Sequence, residues 1–308
     1  MGSIISNSII PQKFPLSHSA YQKMNTCGLS YDLYYNKKIK NKYSKATMIS
    51  GRVFDEVFNE FLRCVWNQNN FDLKNYFEKV WHDEYVSKEK EAKNTDLSLY
   101  ESIKYICSLI PQSYRDSGIV PYSTVDGEPC VQHKHTFDIG YGVKVTTIID
   151  LIGFSQRLNK PVIIDVKACA PSALASKEFV SISEQLLIYS LSAEADPRLN
   201  CDSFDFGAYW QGERKAMPAL KKDQTLRAGA RYPQIIKPEI ERFNDFHKSQ
   251  MADRYIHTQL DINKGKFFGG SRMAYNSPCS LCDYAGLCIK GDNSGLIKKP
   301  EYRRKIAK

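Results

Sequence analysis

Residues 51 to 66, GRVFDEVFNEFLRCVW, set Val53, Phe54, Val57, Phe58, Phe61, Leu62 and Val65 at intervals of three and four. That spacing lines one face of a helix, so an amphipathic helix is predicted to open near Gly51. Residues 71 to 94 and 98 to 111 read as further helices with charged outer faces. The character then changes. GEPCVQHKHTFDI, YGVKVTTIIDLIGF and NKPVIIDVKA are three short β-rich runs, divided by a turn at Gly140 to Gly142 and by the polar SQRLNK. A helical run from Glu178 to Glu194, a strand in FDFGAYW and a helix from Pro238 to Leu260 follow. The order predicts a helical front, a mainly antiparallel meander with a helix packed on it, and a helical, cysteine-bearing tail, an α/β (α+β) class. No internal repeat, long linker or low-complexity segment interrupts it. One continuous domain over residues 1 to 293 is therefore expected: helical front 16 to 115, β-rich core 125 to 211, helical region 212 to 293. Residues 294 to 308 read as a basic tail.

The run PVIIDVKACA, residues 161 to 170, drives four apolar residues into a strand and ends it on a carboxylate and an amine. Asp165 and Lys167 flank Val166, so both side chains point to one face of the strand. Asp150 ends the preceding run TTIID, and a hairpin between the two strands brings its carboxylate near Asp165. Two carboxylates beside an ammonium are costly to bury unless something compensates them. A hard divalent cation such as Mg2+ or Mn2+ would do so, with oxygen ligands. An Asp-Lys pair on an edge strand is the plain alternative. On the next helix Gln185 and Tyr189 stand four residues apart and share one face.

Composition adds a basic balance, 43 Lys and Arg against 34 Asp and Glu, net +9. That suits either a wet basic surface or a polyanionic partner such as DNA or RNA. The polar start, MGSIISNSIIPQKF, and the lack of a run of 18 apolar residues lead to the expectation of no membrane and a cytoplasmic location, the host cytoplasm for a virus or mobile element. Nine cysteines in such a chain call for something other than disulfides. Cys64, Cys107, Cys130, Cys169 and Cys201 sit singly among apolar neighbours and read as small buried hydrophobes. Cys279, Cys282 and Cys288 form a C-x2-C-x5-C group, which needs a fourth thiolate for a tetrahedral sulfur site. Cys27 is the best candidate. Such a site would clip the two ends of the domain together, and the spacing admits zinc as well as iron-sulfur.

Gly51, Asp150, Asp165-x-Lys167 and Gln185-x3-Tyr189 occur in an order and spacing that resemble the RecB-like branch of the PD-(D/E)XK nuclease superfamily. The early Cys27 and the late C-x2-C-x5-C resemble its iron-sulfur members related to AddB and to the CRISPR-associated RecB-like exonucleases. The resemblance implies a restriction-endonuclease-like core, a mixed sheet flanked by helices. It implies metal binding by Asp150 and Asp165, with the Val166 carbonyl as a further ligand, and Lys167 activating water and stabilising phosphate charge. Gln185 and Tyr189 would position nucleic acid. Cys27, Cys279, Cys282 and Cys288 would hold a [4Fe-4S] cluster, with Zn2+ as the alternative. Where the family has G-x3-H, this chain has Gly51-x3-Asp55, so Asp55 would supply an oxygen ligand in place of a histidine.

The implied activity is Mg2+- or Mn2+-dependent hydrolysis of DNA, as an exonuclease on single-stranded or duplex ends, with a helicase or recombination partner. Lys144, Lys177, Arg214, Lys215, Lys221, Lys222 and Arg227 are candidate phosphate contacts, and Tyr209 and Trp210 candidate stacking platforms. Two alternatives stand beside it. An inactive nucleic-acid-binding protein with a structural metal cluster would explain the missing first-helix histidine. A purely structural zinc protein would leave Asp150, Asp165 and Lys167 unexplained.

Overall fold

The structure, a computed structural model, describes residues 9–42, 44–86, 92–93, 97–270 and 277–299. The chain forms two compact units, one drawn from Met1–Tyr43, Asp138–Val145 and Ala252–Lys308, the other from Ser44–Phe137 and Thr146–Met251.

The larger unit is built on a seven-stranded sheet. Its main path runs Glu241–Arg242, Phe206–Glu213, Lys160–Cys169, Lys144–Ser155, Ile119–Pro121, with Val131–Asp138 also on Lys144–Ser155 and Ile235–Ile236 on Phe206–Glu213. Lys160–Cys169 pairs antiparallel with Lys144–Ser155 but parallel with Phe206–Glu213. The parallel pair requires a crossover, which the helix Glu184–Glu194 supplies. The sheet is therefore mixed, flanked by helices, as a restriction-endonuclease-like core requires, where the apolar pattern alone suggested a meander.

The central strand shows why it reads as an apolar run. Pro161 through Val166 are all buried, as expected for a strand covered on both faces. Val162, Ile164 and Val166 pack with Trp210 and with Phe54, Phe58 and Leu62 of the long helix Ala46–Trp66. That helix starts five residues before Gly51, where its opening is predicted. The predicted helix over 98 to 111 is two, Leu97–Ser108 and Ile110–Ser117, because Pro111 fits only a first turn. The one over 178 to 194 is also two, divided at Ser183, whose hydroxyl accepts the Leu186 N–H at 3.3 Å. The last long helix is Asp245–Asn263, since Glu241–Arg242 pair with Phe206–Gly207 instead of coiling.

Of the helix expected over 71 to 94, Leu73–Trp81 forms, followed by a π-helical turn His82–Val86; part of the remainder lies outside the described residues.

The smaller unit joins residues from the two ends of the chain. The helix His18–Thr26 is capped by Ser17 and stacks Tyr21 on Tyr255, ring centroids 4.2 Å apart and planes at 1°. His18 Nδ1 lies 2.9 Å from the Tyr255 hydroxyl, and Asn25 donates to Thr258 at 3.0 Å. A Cβ on Gly28 would sit 2.9 Å from the Lys266 carbonyl oxygen, so only glycine allows that approach. Ile39–Asn41 and Leu296–Lys298 close the unit as a two-stranded antiparallel ribbon. The second strand falls in the stretch read as a basic tail; residues 300–308 lie outside the described residues.

Candidate active site

The antiparallel register pairs Leu151 with Ile164, which sets Asp150 beside Asp165 on the next step of the ladder. Lys167 Nζ donates to Asp165 Oδ1 at 2.7 Å and lies 3.7 Å from Asp150 Oδ2. Asp150 is fixed by two further donors, the Val166 N–H at 2.9 Å and Gln132 Nε2 at 2.9 Å. Gln185 Nε2 reaches Asp165 Oδ1 at 2.8 Å and the Tyr189 hydroxyl at 2.9 Å. Four of the five residues singled out for chemistry thus meet in one hydrogen-bonded group, and the fifth, Asp150, stands 3.7 Å from the Lys167 ammonium. Helix periodicity carries Gln185 and Tyr189 there, and strand alternation carries Asp165 and Lys167.

Asp55 completes the acidic side, about one helical turn after Gly51 on the long helix. It lines an open cavity of about 490 Å3 with Arg52, Glu56, Asn59, Gln132 and Asp150. Burial, with Asp150 and Asp165 adding repulsion that Lys167 only partly offsets, pushes the Asp55 carboxyl up to about 8. Asp165, fully buried, is also raised, to about 7, by burial first and by Asp150, against the pull of Lys167. Lys167 is held protonated: the pull of Asp165 and Asp150 exceeds the cost of its burial. Asp55 Oδ1 and Asp165 Oδ2 are buried and accept no hydrogen bond. Buried oxygens left so are costly, which marks them as places where a donor or cation belongs.

The expected cofactors need correction. Among the described residues, no group of three or more His, Cys, Asp or Glu side chains could hold a metal ion. Asp150 and Asp165 both face the Lys167 ammonium. The Val166 N–H donates to Asp150, and its side chain is buried in the core, neither of which bears on its carbonyl. The [4Fe-4S] cluster and its zinc alternative are overturned by the same finding. Cys27, Cys279 and Cys282 line a cavity of about 300 Å3 without forming such a group, and Cys288 is exposed. Cys27 Sγ instead accepts the Gly270 N–H at 3.2 Å, and Cys282 Sγ the Tyr284 N–H at 3.4 Å.

Other expected contacts divide. Trp210 is wholly buried, with its indole N–H donated to Ser113 at 2.9 Å, so it packs the core and offers no face to a base. Tyr209 is half-buried and bonds Ser183 at 2.6 Å. Arg214 is spent on the Thr47 carbonyl at 2.9 Å, and Lys177 pairs with Glu241 at 3.5 Å. Lys215 donates to the Arg231 carbonyl at 3.2 Å. Lys221 and Lys222 are exposed, and Lys144 and Arg227 lie on the surface of their own units.

Gln132 escaped the sequence reading. It sits on Val131–Asp138 with a left-handed backbone, φ 52°, which turns its amide onto Asp150. One polar residue among the many of VQHKHTFD, it carried no sequence signal of its own.

Among the described residues no helix is long and apolar enough to cross a membrane. No curated protein matches the chain. The model of the PD-(D/E)XK nuclease superfamily matches residues 15–289, across both the Asp165-x-Lys167 strand and the Gln185-x3-Tyr189 helix. The chain belongs to the PD-(D/E)XK nuclease superfamily.

Proposed function

We propose that this protein is a deoxyribonuclease of the RecB-like branch, an exonuclease that hydrolyses phosphodiester bonds from DNA ends. The observation that carries the reading is that Asp165, Lys167, Gln185 and Tyr189 are joined by hydrogen bonds of 2.7 to 2.9 Å, with Asp150 3.7 Å from the Lys167 ammonium. Gln185 is what favours the RecB-like branch, because its amide ties the helix motif directly to the signature carboxylate.

Lys167 keeps its charge, and its side chain is 44% exposed, so the ammonium can leave Asp165 Oδ1 and donate to a non-bridging phosphate oxygen. There it offsets the charge that grows as the phosphate is attacked. Gln185 holds the Asp165 carboxylate in place while Lys167 is so engaged, and Gln132 and the Val166 N–H do the same for Asp150. The Asp165 carboxyl, raised toward neutrality, is suited to accept a proton from the attacking water at Oδ2. Asp55, whose Oδ1 accepts no hydrogen bond, lines the cavity together with Asp150, and these two would hold a divalent ion brought with the phosphate, which would supply charge neutralisation there.

The test uses end-labelled linear and circular DNA, single- and double-stranded, with EDTA, Mg2+ or Mn2+. Linear DNA should be degraded with a divalent ion present and circular DNA spared. Asp165→Ala and Lys167→Ala should each lower the rate by about 10²–10³-fold with the thermal transition retained. Cleavage by either variant at the wild-type rate would exclude the site. Cleavage of circles would replace the exonuclease reading with an endonuclease one.

A further inference from the structure

The smaller unit carries a feature that no catalytic role uses, a groove of about 1500 Å3 along the ribbon Ile39–Asn41/Leu296–Lys298. Five lysines line it, Lys37, Lys38, Lys40, Lys298 and Lys299, and no Asp or Glu does. Lys37 is neutralised by Asp32 at 3.0 Å. The other four have no ion pair among the described residues, although Lys299 lies over the Tyr34 ring at 3.1 Å.

Their placement is fixed by backbone and not left to loose loops. The ribbon register sets Ile39 opposite Lys298 and Lys40 opposite Ile297. The Lys299 N–H donates to the Lys38 carbonyl at 2.6 Å, which brings those two lysines together at the end of the ladder. Lys38 holds a left-handed backbone, φ 57°, an uncommon conformation for a non-glycine residue. Lys38 and Lys299 are the two lysines set across from each other, at the end of the ladder, and like charges so placed repel. A groove that gathers four lysines without an ion pair among the described residues is complementary to an anion lying along the ribbon. Phe14 lies in the same groove with 59% of its surface exposed and the Lys13 ammonium 5.6 Å from its ring centroid, a largely open aromatic ring beside the lysines.

We propose that this groove binds a single strand of nucleic acid, the lysines on successive phosphates and Phe14 stacking on an unpaired base. A positive groove with an exposed ring is the combination that holds single strands without reading sequence. A duplex could use the charge but would keep its base faces from Phe14, so the ring decides between them. The proposal is independent of turnover at Asp165.

The experiment is fluorescence anisotropy of the full chain with labelled oligothymidylate and a duplex of equal length, in EDTA, over a salt series. Lys38→Ala, Lys40→Ala and Lys298→Ala combined should weaken single-strand binding at least tenfold at low salt. The triple change should also make the slope of log affinity against log salt shallower by about 2, at about 0.7 for each phosphate that no longer meets a lysine. The corresponding triple Lys→Arg variant keeps the charge and should bind as wild type, and Phe14→Ala should lose several-fold on the single strand and nothing on the duplex. An unchanged affinity and slope in the alanine variant would overturn the site, as would equal loss in the arginine variant. A duplex bound as tightly as the single strand, with no effect of Phe14→Ala, would overturn the single-strand assignment.

Discussion

A carboxyl pushed up to about 8 is unusual for an aspartate, and Asp55 is in that position because three neighbours and the core act on it together. Burial withdraws water, Asp150, Asp165 and Glu56 repel its charge, and Lys167 offsets only part of this. In the unfolded chain the same group titrates near 4. Between about pH 4 and pH 8 the native state therefore keeps a proton that the unfolded state has lost, so stability falls as pH rises through that window and levels off above it. Asp55→Asn removes the titration and leaves a neutral side chain of the same shape. Its melting temperature should match the wild type near pH 4 and exceed it at pH 8, by about 2–4 °C for each kcal/mol regained. Equal melting curves at both pH values would mean that Asp55 is ionised in the native state. His133 works in the opposite direction: burial lowers its affinity for a proton, so its contribution is lost as pH falls below about 6.5. The Asp55 comparison is accordingly made as a difference between variant and wild type at each pH, in which the His133 contribution cancels.

The long helix Ala46–Trp66 shows what was legible in the sequence at the level of an element and what was not. Its stripe was plain, and Val53, Phe54, Val57, Phe58 and Leu62 are fully buried as the spacing predicts. Its start was not, because Ala46 to Ser50 add only Ala46 and Ile49 to the stripe, among the polar Thr47 and Ser50. Gly51 looked like the opening of the helix and lies in its interior. A Cβ there would meet nothing within 4 Å. Gly51→Ala should therefore stabilise the protein by about 0.5–1 kcal/mol through backbone entropy alone, read as a rise in melting temperature. A fall would show that the position is conformationally constrained in a way the open space does not reveal. The site follows the same division. Alternation along one strand and a four-residue step along one helix placed Asp165, Lys167, Gln185 and Tyr189 in advance. Gln132 depends on pairing between strands and on a left-handed backbone, neither of which a local pattern carries. The break at Ser183 was likewise hidden, since a serine cap inside an apolar run competes with an uninterrupted helix on nearly equal terms.

At the scale of the molecule, the cysteines raised the expectation that a metal centre holds the chain ends together, and the ends are joined by other means. Tyr21 stacks on Tyr255, Asn25 bonds Thr258, Gly28 abuts the Lys266 carbonyl and the ribbon pairs Ile39–Asn41 with Leu296–Lys298. These contacts close the same loop of chain that a cluster would have closed, and an aromatic stack with buried hydrogen bonds repays closure entropy that grows only slowly with loop length. Cys27 adds one acceptor to this set, through the Gly270 N–H at 3.2 Å. Serine keeps an acceptor at that position. Cys27→Ser should then change stability by no more than about 1 kcal/mol, the worth of one ordinary hydrogen bond, and leave the melting transition cooperative. Protein purified without oxygen should be colourless, and metal analysis should find iron, sulfide and zinc well below one equivalent. Loss of the folded state in Cys27→Ser, accompanied by loss of a stoichiometric metal from the wild type on chelation, would reinstate a metal at the chain ends. By contrast Tyr21→Ala, which removes the stacked ring from the Tyr255 face, should lower the melting temperature far more than Cys27→Ser, because it opens a cavity as well as losing the stack, a cost of about 3–5 kcal/mol for a buried aromatic.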